Sequence, residues 1–145
     1  MDAKVTQLTG AEQDWLKAQL AAAAQFVEDY GSHRTAAGLE SLEHAWASWL
    51  DRQTVDPSDP KPVLNAVGVA LGQAIIEALS GFDWVIAEDA DGTDLAIYGL
   101  PGTSDVLIYP EDLVAQRYET REQWFLQTIR DQVVAQVKQL GQQGR

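Results

Sequence analysis

Within DWVIAEDADGTDLAIYG, residues 83 to 99, the carboxylates Asp89, Asp91 and Asp94 stand two and three residues apart around Gly92. Oxygen-rich runs of this kind bind calcium when the loop register is right. Here it is not. With Gly92 at the sixth position of an EF-hand loop, Asp89 and Asp91 take the third and fifth, but Ala87 and Tyr98 stand at the first and twelfth, where the anchoring carboxylates belong. The residues on either side also alternate as strands do, whereas an EF-hand needs flanking helices. Asp-Gly is a turn signal between antiparallel strands. The segment therefore reads as an acidic hairpin tip, with Asp89, Asp91 and Asp94 kept only as weak cation ligands and no cofactor expected.

The other candidate chemistry is sparse. His33 and His44 lie eleven apart without a third ligand at zinc spacing, and Glu40 with His44 at i and i+4 reads as an exposed helix pair. No nucleophile elbow, Walker A or G-x-G-x-x-G run is present. Arg117 is the more informative residue. It closes YPEDLVAQR, 109 to 117, beside the apolar Leu113 and Val114. A guanidinium next to an apolar face needs carbonyl or carboxylate partners. It is either a structural clamp on helix-end carbonyls or a site for an anion or carboxylate-bearing peptide, with Asn65 and Tyr109 as the other polar groups.

The bulk properties narrow the partners. The 145 residues are 46% hydrophobic and carry 22 acidic against 10 basic side chains, a formal charge of -12. A negative surface repels a phosphate backbone and an anionic membrane, so neither is expected as a partner, while a basic protein suits the field. Without cysteine, disulfides and thiolate sites are excluded. The opening MDAKVTQLTG lacks the basic and apolar regions of a signal peptide, which favours a cytoplasmic location. The most apolar stretch, 63 to 79, is interrupted by Asn65, Gln73 and Glu77 and falls short of a bilayer span, so it reads as a buried helix.

These residues must be positioned by a definite set of elements. Thr9 and Glu12 form a capping-box pattern, and Leu16, Leu20, Ala23 and Val27 then make one helical stripe, widened by Trp15 and Phe26, up to a left-handed stop at Gly31. A second helix is expected from about Ala36 to Arg52, with Leu39, Leu42, Trp46, Trp49 and Leu50 on its buried face and Glu40, Glu43 and Asp51 elsewhere. The prolines of VDPSDPKP, 55 to 62, interrupt it. A third helix, about Pro62 to Ser80, is apolar almost all round, with Gly68 and Gly72 on one face where another backbone must approach closely, and it ends at Gly81. From Phe82 the period changes to two. Phe82, Trp84 and Ile86 point one way and Asp83, Val85 and Ala87 the other, followed by strands around Leu95 to Tyr98 and Val106 to Ile108. Pro110 opens a short helix whose first turn carries Glu111 and Asp112. A second capping box, Thr120 with Gln123, then starts a long helix through Leu126, Ile129, Val133, Val137 and Leu140 to Gly141.

In this order and spacing, the run Asn65-x-x-Gly68-x-x-x-Gly72, then Trp84, DGTDLAIYG and YPEDLVAQR resembles the bacterial family catalogued as domain of unknown function 3806, over about residues 38 to 130. The resemblance implies no activity, substrate or catalytic residue. Its pattern falls on Asn65, Gly68, Gly72, Trp84, Gly92, Tyr109, Pro110, Val114 and Arg117, mostly residues that build a fold. The reading is thus one α+β domain of about five helices, packed mainly on one face of a three-stranded antiparallel meander: an arm at 1–8, a helical pair at 9–53, a linker at 54–61, the remainder to 140, and a frayed tail at 141–145. Its expected role is a non-enzymatic interaction module, monomeric or a weak homodimer. The alternatives are a small-ligand or hydrolytic pocket near Arg117 and Asn65, and an immunity-type inhibitor.

Overall fold

The computed structural model describes residues 4–31, 38–90, 92–100 and 105–143. Five helices and four strands follow in the order β1 (Lys4–Thr6), α1 (Gly10–Tyr30), α2 (Leu39–Val55), α3 (Lys61–Ala78), β2 (Asp83–Asp89), β3 (Gly92–Gly99), β4 (Val106–Ile108), α4 (Pro110–Glu119) and α5 (Leu126–Gln143). The strands form one antiparallel sheet in the order β1-β2-β3-β4. The architecture is α+β as expected, with one strand more than the predicted meander. Within the predicted N-terminal arm, Val5 pairs with Ala87, in a strand too short to betray a period in sequence.

α1 begins as predicted, with both halves of the Thr9–Glu12 capping box formed and Thr9 N donating to Glu12 Oε1 at 2.7 Å. Leu16, Ala23 and Phe26 are buried, while Trp15 lies exposed at the edge of the stripe. Gly31 ends the helix in an extended conformation, φ -81°, instead of the left-handed one. Ala36 and Ala37, where the second helix was expected to begin, lie outside the described residues, and α2 starts at Leu39 after Gly38, whose φ is 84°. α2 continues to Val55, and Gln53 explains why the prolines cause no break in packing: its buried amide donates to Ser58 O at 2.9 Å and accepts from Ser58 N at 3.0 Å, folding the turn back on the helix.

α3 is the central element, packing against α1, α2, α4 and α5. Trp84 lies across Gly72 from the sheet, and its indole N–H donates to Gln73 Oε1 at 3.1 Å. Pro110 and Glu111 of α4 approach the same face at Gly72 and Gly68. The main core joins these to Trp46, which is fully buried between Trp49 and Phe125 and donates its N–H to Glu122 O at 2.8 Å.

Three further expectations need correction. Glu43, assigned away from the buried face of α2, is only 5% exposed. Its carboxylate accepts from Gln127 N at 3.1 Å and Gln127 Nε2 at 2.7 Å, at the start of α5. The Thr120–Gln123 capping box does not form, because Thr120 instead terminates α4, its hydroxyl donating to Gln116 O and Arg117 O. Arg121 and Trp124 then take left-handed conformations, φ 58° and 61°, before α5 starts at Leu126. That last helix runs through Gly141 to Gln143.

Candidate functional site

The sheet register sorts the strand residues into two faces. Trp84, Ile97 and Ile108 stand opposite one another on the helix-covered face and belong to the main core. On the outer face the cross-strand rows are Val5–Ala87–Asp94, Val85–Ala96 and Asp83–Tyr98–Leu107. Val85, Ala87 and Ala96 are buried in a second, separate cluster whose packing partners are Val5, Tyr98, Leu107 and Tyr109. None of these partners comes from a helix. Among the described residues, the apolar centre of the outer face is packed by half-exposed side chains of its own strands and by Tyr109, which follows β4 and caps α4, while Gln13 near the start of α1 borders a cleft beside Val5, Asp83, Val85 and Tyr98.

The rim of this face is acidic. Asp83 and Asp94 are exposed at opposite ends of the rows. Partial burial, then a hydrogen bond toward Asp105 and the charge of that carboxylate, raise the Tyr98 hydroxyl above its ordinary range. Tyr109 is raised by burial and then by the fields of Asp89, Asp94 and Asp112. The two tyrosines therefore stay neutral donors among five aspartates.

Glu111 extends the same edge into the helical layer. Its Cα and Cγ sit against Gly68, where an added Cβ would lie 2.8 Å and 2.7 Å from them, and its Oε1 is buried without a hydrogen-bond partner among the described residues. Burial, then Asp112 and Asp94, push the carboxyl up from 4.5 to about 7, with Lys61 of α3 opposing. A folded-state value above the unfolded one means that the native state holds the proton more tightly between the two. Its contribution is complete below about pH 4.5 and is lost as pH rises through about 7. Because the side chain is only half-buried, we expect roughly 1 kcal/mol across that window after allowing for solvent screening. Urea unfolding of the wild type and of Glu111→Gln at pH 5 and pH 8 should show a difference between them that grows with pH, in favour of the variant; a constant difference would place Glu111 in water.

The predicted ligand residues do not converge. Asn65 is half-buried on α3, one turn before Gly68 and on the stripe that faces α4. Arg117 lies six residues beyond Glu111, roughly 9 Å along the helix axis. Its Nη1 pairs with Glu122 Oε2 at 2.9 Å, and its carbonyl accepts from Glu122 N at 3.0 Å, so it closes the end of α4. Surface clefts of about 470, 660 and 510 Å³ have neither Arg117 nor Asn65 in their walls. Tyr109, by contrast, stands beside Asp89 and Asp94 on the outer face. Asp89 pairs with Gly92 where β2 meets β3, and Gly92 takes φ +137°, a conformation open to glycine. Asp91 and His33 lie outside the described residues, and His44 packs edge-on against Trp124 at 4.9 Å. Among the described residues, no three histidine or carboxylate side chains are grouped to hold a metal ion. Gly68, Gly72, Trp84, Pro110 and Val114 all lie at the junction of α3, α4 and the sheet.

The family model described as Domain of unknown function (DUF3806) matches residues 42–128, more than half of the chain. The chain belongs to this family. The match spans α2 to the start of α5, including both glycines, the hairpin and α4, and leaves β1 and α1 outside it. No curated protein and no solved structure gives a match. The outer face cannot be assembled from sequence alone: the alternation places Asp83, Val85 and Ala87 together, but nothing local joins them to Asp94, Ala96, Tyr98 and Leu107. That link needs the register.

Proposed function

We propose that this DUF3806 chain is a single-domain, non-enzymatic binding module that recognises a basic protein segment on the outer face of its sheet. The observation that carries the reading is the composition of that face: a small apolar centre at Val85, Ala87 and Ala96, two tyrosine hydroxyls, and a rim of aspartates, with no helix among the described residues packed on that centre. Apolar contact supplies affinity in such a surface and the charged rim supplies orientation and rate. The overall charge of -12 points the same way and opposes close pairing of two copies through this face, in keeping with a monomer or weak homodimer. No helix among the described residues is long and apolar enough to cross a membrane. A hydrolytic or small-ligand site at Arg117 and Asn65 gains no support from the geometry, since Glu122 engages Arg117. An immunity-type inhibitor would be one case of the proposed recognition.

Titration with an eight-residue alternating Lys-Val peptide, followed by backbone NMR, tests the reading. Shifts should concentrate on β2, β3 and β4, weaken with salt, and vanish for a Glu-Val peptide. Reversing the exposed charges, Asp83→Lys with Asp94→Lys, should weaken binding at least tenfold, as two rim pairs of up to about 1 kcal/mol allow. Equal binding of both peptides, or shifts confined to the helices, would remove the sheet face as the site.

A further inference from the structure

On the opposite side of the molecule, the 470 Å³ cleft lies between α1, α2 and α3. Its walls are mostly aliphatic, supplied by Leu20 and Val27 of α1, Leu42 of α2 and Ala74 of α3, with Ser41 of α2 among them. Its rim carries the exposed carboxylates of Glu28 and Glu77, and no lysine or arginine lines it among the described residues. Neither glutamate has an ion-pair partner among those residues. Gln73, also in the wall, has its carboxamide oxygen turned to the Trp84 indole.

We infer that this groove is a binding site for a cationic amphiphile, a small molecule with an ammonium group on an apolar chain. The volume falls in the range of small-molecule sites, and the mostly aliphatic walls, with Ser41 and Gln73 as their polar groups, favour a ligand with an apolar chain. The sign of the charge is set by Glu28 and Glu77, aided by the net field of the protein: an anionic amphiphile of the same length meets two like charges where a cationic one meets two partners. The groove is separate from the outer sheet face, so this inference stands apart from the peptide-binding role.

The probes are n-hexyl-, n-octyl- and n-decylammonium, with the matching alkanoates, each kept below its micelle concentration and followed by backbone NMR. Affinity for the ammonium series should rise about fourfold per methylene until the groove is filled. Each alkanoate should bind roughly tenfold more weakly than its ammonium counterpart, the scale of two exposed charge pairs. Glu28→Gln with Glu77→Gln should remove most of that discrimination while leaving chain-length dependence intact. Ala24→Trp, at an exposed position on the groove edge, should block both series without changing the unfolding temperature. Saturable ammonium-selective shifts on α1, α2 and α3 that Ala24→Trp removes would establish the site. Equal affinity for both charges, shifts that survive Ala24→Trp, shifts on β2 and β3 instead, or no saturable binding would each overturn it.

Discussion

Gly72→Ala should destabilise the protein by roughly 1–3 kcal/mol, and Gly72→Val by about 4 kcal/mol or more, enough to unfold a domain of ordinary stability. The direction is the reverse of the usual one, because alanine in a helix interior is ordinarily favoured over glycine by about 1 kcal/mol. A Cβ at this position would meet the Trp84 ring, 2.7 Å from Cζ2 and closer still to Cη2, and would sit 2.8 Å from Pro110 Cγ. None of these atoms belongs to a flexible chain end. Trp84 is tethered by its hydrogen bond to Gln73, and Pro110 is the first residue of α4, so relief requires moving a helix or a strand. Chemical denaturation of the two variants beside Gly10→Ala, where an added Cβ meets nothing within 4 Å, measures the effect against a local control. Wild-type stability in Gly72→Ala would show that the contact yields freely. In Gly72→Ala with Trp84→Leu the two changes should be less than additive, which identifies the indole as the obstacle.

Glu43→Ala should cost about 2–4 kcal/mol, through the loss of charge-assisted hydrogen bonds and the exposure of an unpaired N–H at the start of α5. The carboxylate does for α5 what a local cap would do, from another helix: it accepts from Gln127 N and from the Gln127 side chain. Its negative charge also lies at the positive end of the helix dipole. Glu43→Gln keeps an acceptor but not the charge, so roughly half of the loss should remain. Thermal unfolding of Glu43→Ala, Glu43→Gln and Gln127→Ala ranks these contributions. If Glu43→Gln were as damaging as Glu43→Ala, the charge would be the whole of the effect; if Gln127→Ala matched Glu43→Ala, the side-chain bond would outweigh the backbone one.

Glu43 also illustrates where reading from sequence succeeds and fails. The pattern Thr9-x-x-Glu12 predicted a helix start and the box formed, since every group involved lies within one turn. The equivalent pattern at Thr120 and Gln123 did not form: Thr120 caps the helix before it, and the intervening Glu122 carbonyl is held by the buried indole of Trp46. The same distance in sequence hides Glu43, a polar residue on a helical wheel that is buried only because α5 begins beside it, 84 residues along the chain. The notched central helix, the alternation at Phe82 and the Pro110 helix start were legible because glycine, proline and strict periodicity act locally. The outer face was not, since its residues come from different strands and meet through pairing alone.

The added strand at the N-terminus has a bearing on how the chain keeps clear of itself. β2, β3 and β4 are joined by short connections and can pair soon after they are made, whereas Val5 finds Ala87 only after three helices have been placed between them. Closing that loop carries the larger entropic cost, so β1 is the strand expected to dock last. Until it does, β2 presents Ile86, Ala87 and Glu88 as an open edge, the kind of surface on which a neighbouring chain can add its own strand. In the finished fold the segment KVT is a guard on that edge, three residues long and carrying a lysine. Along Ile86 to Glu88 it leaves any approaching chain a short border carrying a lysine in place of an open strand edge.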